Sequence, residues 1–224
     1  MIAMPTSSGQ RSSTEIRTYL IEQLNQALRR PGMFGGEMAL RLLLDHLAYA
    51  EGEDEAWAEE LRTLQSRGAA NSLGVTGAFR TVVPGNNYEY GVASIYAEFA
   101  RNLGWLDVDR TLTAEDYASM RQELPAWAAQ DRTLTDVRET FGPPSVLFGG
   151  SNPYYGKTLA YVSERLTEPM ISFHLWNEIS RESGWTLSSI YSEPILLAVR
   201  CGTASFRETF RFTPEGSVRR PDTA

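Results

Sequence analysis

The sequence predicts an α+β protein: an N-terminal helical bundle followed by a small domain of one helix and an antiparallel sheet. Three observations carry this. Apolar residues recur at helical spacing behind Ser and Thr caps as far as about residue 130, and beyond it short β-type runs alternate with turn signals. The charge divides at the same place, with 11 arginines against 17 acids over residues 1–130, a formal −6, and −1 over residues 131–224. Residues 1–12 are expected to be a disordered tail, 13–130 a helical domain and 131–224 an α+β domain.

Each element has its own local signal. Ser12 and Glu15 form an S-x-x-E capping box, and Ile16, Leu20, Leu24 and Leu28 follow at every fourth position until Pro31-Gly32, so the first helix is expected over 13–30. Glu37 to Ala50 is apolar around most of its circumference, which places a second helix centrally, ending at Gly52. A third helix over 53–67 opens with Glu53, Asp54 and Glu55 at the positive end of its dipole and lines up Trp57, Leu61 and Leu64. Ile95, Phe99 and Leu103 mark a fourth over 90–103, and Thr113 with Asp116 opens a fifth through Met120. A short helix from Thr133 to Phe141 stops at Gly142-Pro143-Pro144. Strands are then expected at 146–148, 158–162, 170–176, 195–200 and 206–212.

Composition narrows the function. The 224 residues carry a net charge of −7, which argues against a general nucleic-acid binder, since affinity for phosphate needs excess Lys and Arg. One cysteine, Cys201, excludes an internal disulfide framework and a multi-cysteine zinc site, and two histidines, His46 and His174, leave little for metal chemistry. No metal and no cofactor is expected. The first ten residues lack the basic region and apolar run of a secretory signal, and no stretch approaches the ~20 apolar residues of a membrane span, so a cytoplasmic protein without membrane contact is expected. Lys157 is the single lysine beside 20 arginines.

Gly149 to Thr158, reading Gly-Gly-Ser-Asn-Pro-Tyr-Tyr-Gly-Lys-Thr, ends like a phosphate-binding loop. That loop needs four residues between its glycines so that successive N–H groups face the phosphates. Five separate Gly150 from Gly156, and Pro153 removes a donor. The segment reads instead as a loop between strands that holds Tyr154 and Tyr155 at a rim, the residue type that anchors binding surfaces.

Leu28 to Gly36, Leu-Arg-Arg-Pro-Gly-Met-Phe-Gly-Gly, resembles the string that opens the ATPase domain of type II topoisomerase B subunits. The helix after it, Leu43 to Glu51, lacks that family's Glu-x-x-Asp-Asn pattern, and no Asp-Asn-Gly-x-Gly-Ile box follows. A similar string also looks like what joins two helices in small bacterial proteins without the ATPase, and here it is read as a helix–helix corner. Thr133 to Ser145, leading into the strands, resembles the helix-then-sheet unit of the small outer-membrane assembly lipoprotein and β-lactamase-inhibitor-like superfamily, with its Thr-x-x-x-Val-x-x-x-Phe-Gly-x-Pro-Ser string. That resemblance implies a scaffold whose sheet presents aromatic and polar side chains to another protein, with no catalytic residues to transfer. The chain departs from it in lacking a lipobox and paired cysteines.

Alternation along 170–176 puts Ser172, His174 and Trp176 on one strand face and Ile171, Phe173 and Leu175 on the other. The second face is expected in the core, and the first as a functional surface continued by Asn177 and Glu178. In the acidic run from Glu51 to Glu60, Glu55, Glu59 and Arg62 fall on the solvent side of the third helix, a solvated face or a docking face for a basic partner. The resulting expectation is a bacterial cytoplasmic binding protein similar to immunity proteins and antitoxins. It would act on a protein partner of basic character through Glu55 and Glu59 and through the rim of Tyr154, Tyr155, His174, Trp176 and Asn177. The alternative is a small-molecule enzyme with a pocket around His174, Trp176, Asn177, Glu178 and Lys157, or with Cys201 and His174 as a nucleophilic pair.

Overall fold

A computed structural model describes residues 12–84, 88–181 and 187–221. All but Ser12 of the expected tail lies outside the described residues. Eight helices occur among them, α1 (Ser13–Arg29), α2 (Gly36–Glu51), α3 (Asp54–Ser66), α4 (Gly74–Phe79), α5 (Glu89–Asn102), α6 (Ala114–Trp127), α7 (Leu134–Phe141) and α8 (Pro214–Arg219). The strands are β1 (Val146–Phe148), β2 (Lys157–Tyr161), β3 (Ile171–Trp176), β4 (Ile179–Arg181), β5 (Leu187–Ser189), β6 (Ile195–Arg200) and β7 (Phe210–Phe212). The α+β class read from the sequence is the observed one.

The caps work as the sequence implies. Ser12 and Glu15 close both arms of their box, as do Thr133 and Asp136, and the Thr113 side chain accepts from the Asp116 N–H. α6 outruns its expected end at Met120 and continues to Trp127, with Pro125 inside it. The strand expected over 206–212 is split: residues 206–209 form a 3₁₀ turn in which Thr209 Oγ1 donates to the Phe206 carbonyl, and only 210–212 pair with β6. α4, α8 and the β4–β5 hairpin have no counterpart in the sequence reading.

The main sheet runs β1-β2-β3-β6-β7 with every pair antiparallel. Both of its faces are covered. Val146, Phe148, Ala160, Trp176, Ala198 and Phe210 share one apolar cluster with Leu24, Leu44, Phe79, Tyr96 and Trp105 from the α1–α5 side. Leu159, Tyr161, Ile171, Phe173, Leu175 and Val199 share a second with Tyr117, Met120 and Leu124 of α6 and Leu134 and Val137 of α7. The first cluster joins residues on both sides of position 130. Loops are held by charged groups: buried Arg101 donates to the carbonyls of Ser163, Arg165 and Glu168, and at the surface Arg29 clamps Asp109 through both carboxylate oxygens.

The split of β3 into two faces is as expected, but the face bearing Ser172, His174 and Trp176 is not a surface. The three are buried because Phe79 and Phe210 close over His174 and the sheet's helical side lies against α4 and α5. Between His174 and Leu175 the β3–β6 register shifts, so that Leu197 stands unpaired between Leu196 and Ala198. The bulge is a built feature: Thr213 Oγ1 donates to the carbonyls of Leu196 and Leu197, and Gly216 of α8 packs onto the latter, where a Cβ would lie 1.9 Å from its oxygen.

Candidate functional site

Two loops far apart in sequence meet at the start of α5. The first is the corner after α1, where Pro31 to Met33 form one 3₁₀ turn, Pro31 is buried and Met33 stands 75% exposed. The second is the glycine loop between β1 and β2. Gly149, at φ 119°, turns the chain out of β1 in a conformation that side chains other than hydrogen rarely allow, and its N–H donates to the Arg29 carbonyl at 2.7 Å. That bond ties the loop to the corner.

The glycine loop is held from within. Asn152 Oδ1 accepts from the Tyr154 N–H at 2.9 Å, an Asx turn around Pro153, and Asn177 Nδ2 donates to the Tyr154 carbonyl at 2.9 Å. Lys157 Nζ lies inside, donating to the carbonyls of Gly150 (3.1 Å) and Asn152 (2.7 Å). Carbonyl oxygens converge on an ammonium there, the reverse of the N–H groups that a phosphate needs. Burial, with the nearby Arg138 charge, brings Lys157 down to about 8. The single lysine is thus the loop's internal strut.

Between the loops lies a groove of about 380 Å³ lined by Arg30, Gly32, Met33, Glu89, Tyr90, Gly150 and Tyr155. Tyr154, 52% exposed, stands beside Tyr155 in the same loop. Glu89 reaches the groove across Gly32, where an added Cβ would lie 2.6 Å from Glu89 Oε1. Burial raises its carboxyl above the usual carboxylate range, partly offset by a hydrogen bond with Tyr90. The Tyr90 hydroxyl is raised by burial and by the neighbouring Glu89 and Tyr155.

The other sequence candidates are dispersed. Glu55 and Glu59 are exposed on α3 as expected, but Glu59 is already paired with Arg62, and Glu51 with Arg17. Trp176 is no part of a rim: Arg219 lies over its ring at 4.6 Å and Tyr191 packs at its edge. Asn177 is buried and bonds the backbone of Tyr154 and Tyr191, while Glu178 is exposed. Lys157 shares its strand face with Leu159, against α6 and α7, whereas His174 faces Phe79 on the helical side. Among the described residues, His174 and Trp176 line one cavity of about 10 Å³, and Lys157, Asn177 and Glu178 do not join them there. Cys201 packs toward α6, its Sγ 3.9 Å from the Tyr117 hydroxyl, so the sheet separates it from His174. Burial raises its thiol.

His174 itself is a buried neutral imidazole. Nδ1 lies 3.1 Å from Thr158 Oγ1, Nε2 has no partner, and burial, aided by Arg200, holds its value down at about 3. The adjoining cavity of about 10 Å³ is at the lower limit for one water.

No family model matches the chain, nor does any curated protein or any solved structure. The site must therefore be read from its own chemistry. Tyr154 and Tyr155 were legible in the sequence as a rim. Arg30, Met33, Glu89 and Tyr90 were not; the one available signal was an apolar Met placed directly after a Pro-Gly corner.

Proposed function

We propose that this chain is a protein-binding protein of the immunity or antitoxin kind, acting in the bacterial cytoplasm and docking on a cognate effector through the groove between the Pro31 corner and the glycine loop. One observation carries the reading: two loops, each tied down by its own hydrogen bonds and joined through Gly149 and Arg29, present exposed Met33 and Tyr154 around a groove walled by Tyr90 and Tyr155. A rigid patch of Tyr and Met is what protein recognition favours, because little ordering entropy is lost on contact. The net charge of −7 and the exposed Glu55 favour a partner of basic character, through faster encounter. Among the described residues no helix is long and apolar enough to cross a membrane.

The test is co-expression with the product of the gene immediately upstream in the producing organism. The wild-type chain is expected to restore growth and to co-purify with that product, and a Met33→Glu/Tyr154→Glu double variant to lose both while keeping its circular dichroism and melting temperature. Rescue undiminished in the double variant overturns the groove as the contact surface. No rescue and no complex with the wild-type chain overturn the effector reading.

A further inference from the structure

The groove carries a specific chemical request. Three carboxylates elsewhere in the framework have partners: Glu37 accepts from the N–H groups of Val75 and Thr76 and from the Tyr96 hydroxyl, Glu98 pairs with Arg200, and Glu51 with Arg17 and Trp105. Glu89 is half-buried at the groove, and among the described residues no cation pairs with it. Its neighbours are the rings of Tyr90 and Tyr155, and on the corner side the carboxylate packs against Gly32, in the space a Cβ would fill, so the groove is the side from which a guest reaches it.

We propose that the groove receives an arginine side chain of the partner protein, whose guanidinium meets the Glu89 carboxylate between the rings of Tyr90 and Tyr155. This rests on the docking reading above. A planar guanidinium bonds a carboxylate through two parallel N–H groups and stacks on aromatic faces, which an ammonium does not do. The protein already contains the ring-and-carboxylate part of that arrangement: Arg219 lies 4.6 Å from the Trp176 ring centroid and 5.6 Å from that of Tyr191, and donates one N–H, from Nε, to Glu215 Oε1 at 2.6 Å. At about 380 Å³ the groove falls in the range of small-ligand sites, and one side chain fits within it. The raised Glu89 carboxyl agrees, since a buried carboxylate without a counter-charge gains most from receiving one. Arg30 lines the mouth and is exposed; having the same sign as the guest, it weakens capture.

The test uses the full chain and blocked amino acids, followed by backbone amide shifts in solution. Nα-acetyl-arginine amide is expected to give saturable shifts at Gly32, Gly150 and Tyr155, the neutral isostere Nα-acetyl-citrulline amide to bind at least about tenfold more weakly, and the lysine analogue to fall between them. Glu89→Gln should abolish the arginine shifts with its melting temperature preserved, and Arg30→Gln should strengthen them. Equal binding of the citrulline analogue, unchanged binding by Glu89→Gln, or no shifts with the arginine analogue overturns the assignment. A Glu89→Gln chain that still docks the effector as tightly as wild type overturns the arginine site and leaves the docking reading intact. Arginine-analogue binding by a chain that docks no effector does the opposite.

Discussion

Acid should unfold this protein through one imidazole. His174 is buried between Phe79 and Phe210, with Nε2 unpartnered and its value held at about 3, against about 6.5 for an imidazole in the unfolded chain. Between those values the unfolded chain binds a proton that the folded one refuses, so stability falls as pH drops through about 6.5 toward about 3. At about pH 5 the unfolded state gains about 2 kcal/mol from that proton, and the full effect at lower pH is bounded by about 5 kcal/mol. Two other groups oppose the trend: Glu60 and Glu89 are raised by burial, so the fold holds their protons more firmly than the unfolded chain and gains stability on acidification. The perturbation that separates them is His174→Phe, which keeps a ring between Phe79 and Phe210 and removes the titrating nitrogens. Urea unfolding at fixed ionic strength, followed by tryptophan fluorescence between about pH 7 and about pH 5, should show wild type losing about 2 kcal/mol more than the variant. Staying above about pH 5 keeps Glu15 and Glu215 out of the comparison, since both are lowered from an ordinary 4.5. Parallel pH slopes for the two chains would show that His174 is not a buried neutral imidazole.

Two further outcomes test the framework around the site. Glu37→Ala removes the acceptor for two N–H groups of α4 and for the Tyr96 hydroxyl, and should cost about 2–4 kcal/mol, with hydrogen exchange at residues 74–79 rising first; exchange confined to other segments would refute the anchoring role. Gly216→Ala drives a methyl group onto the Leu197 carbonyl at the bulge and should cost about 1–3 kcal/mol in urea unfolding, whereas a neutral effect would mean that α8 does not lie on β6.

Most helices and strands were legible because each carries its own signal. The boxes Ser12/Glu15 and Thr133/Asp136 and the four-residue spacing of Leu20, Leu24 and Leu28 are local facts, and so are the β-type runs of β1, β3 and β6. α4 escaped because its six residues are too few for periodicity and its N-terminus is held by Glu37, a residue of another helix. α8 escaped because its Thr213 cap also serves the β6 bulge. Alternation told correctly which residues of β3 share a face. It does not tell whether that face is covered, and the polar Ser172 and His174 made a buried face resemble a wet one. The groove was hidden for a different reason: the corner, the start of α5 and the glycine loop each have a sufficient local explanation, and only the Gly149–Arg29 bond reveals that they face one another.

The covering of the sheet on both sides has a consequence for how the chain is made. Synthesis releases α1 to α5 first, with Leu24, Leu44, Phe79 and Tyr96 uncovered, and α6 and α7 next, while the strands that will lie between the two sets emerge last. The early helices can pack on one another, as α1 does on α2 and α2 on α3, but the faces they turn toward the sheet stay open until the filling of the sandwich arrives. The nascent chain therefore carries two sticky surfaces for most of its translation, a state that attracts chaperones and favours aggregation.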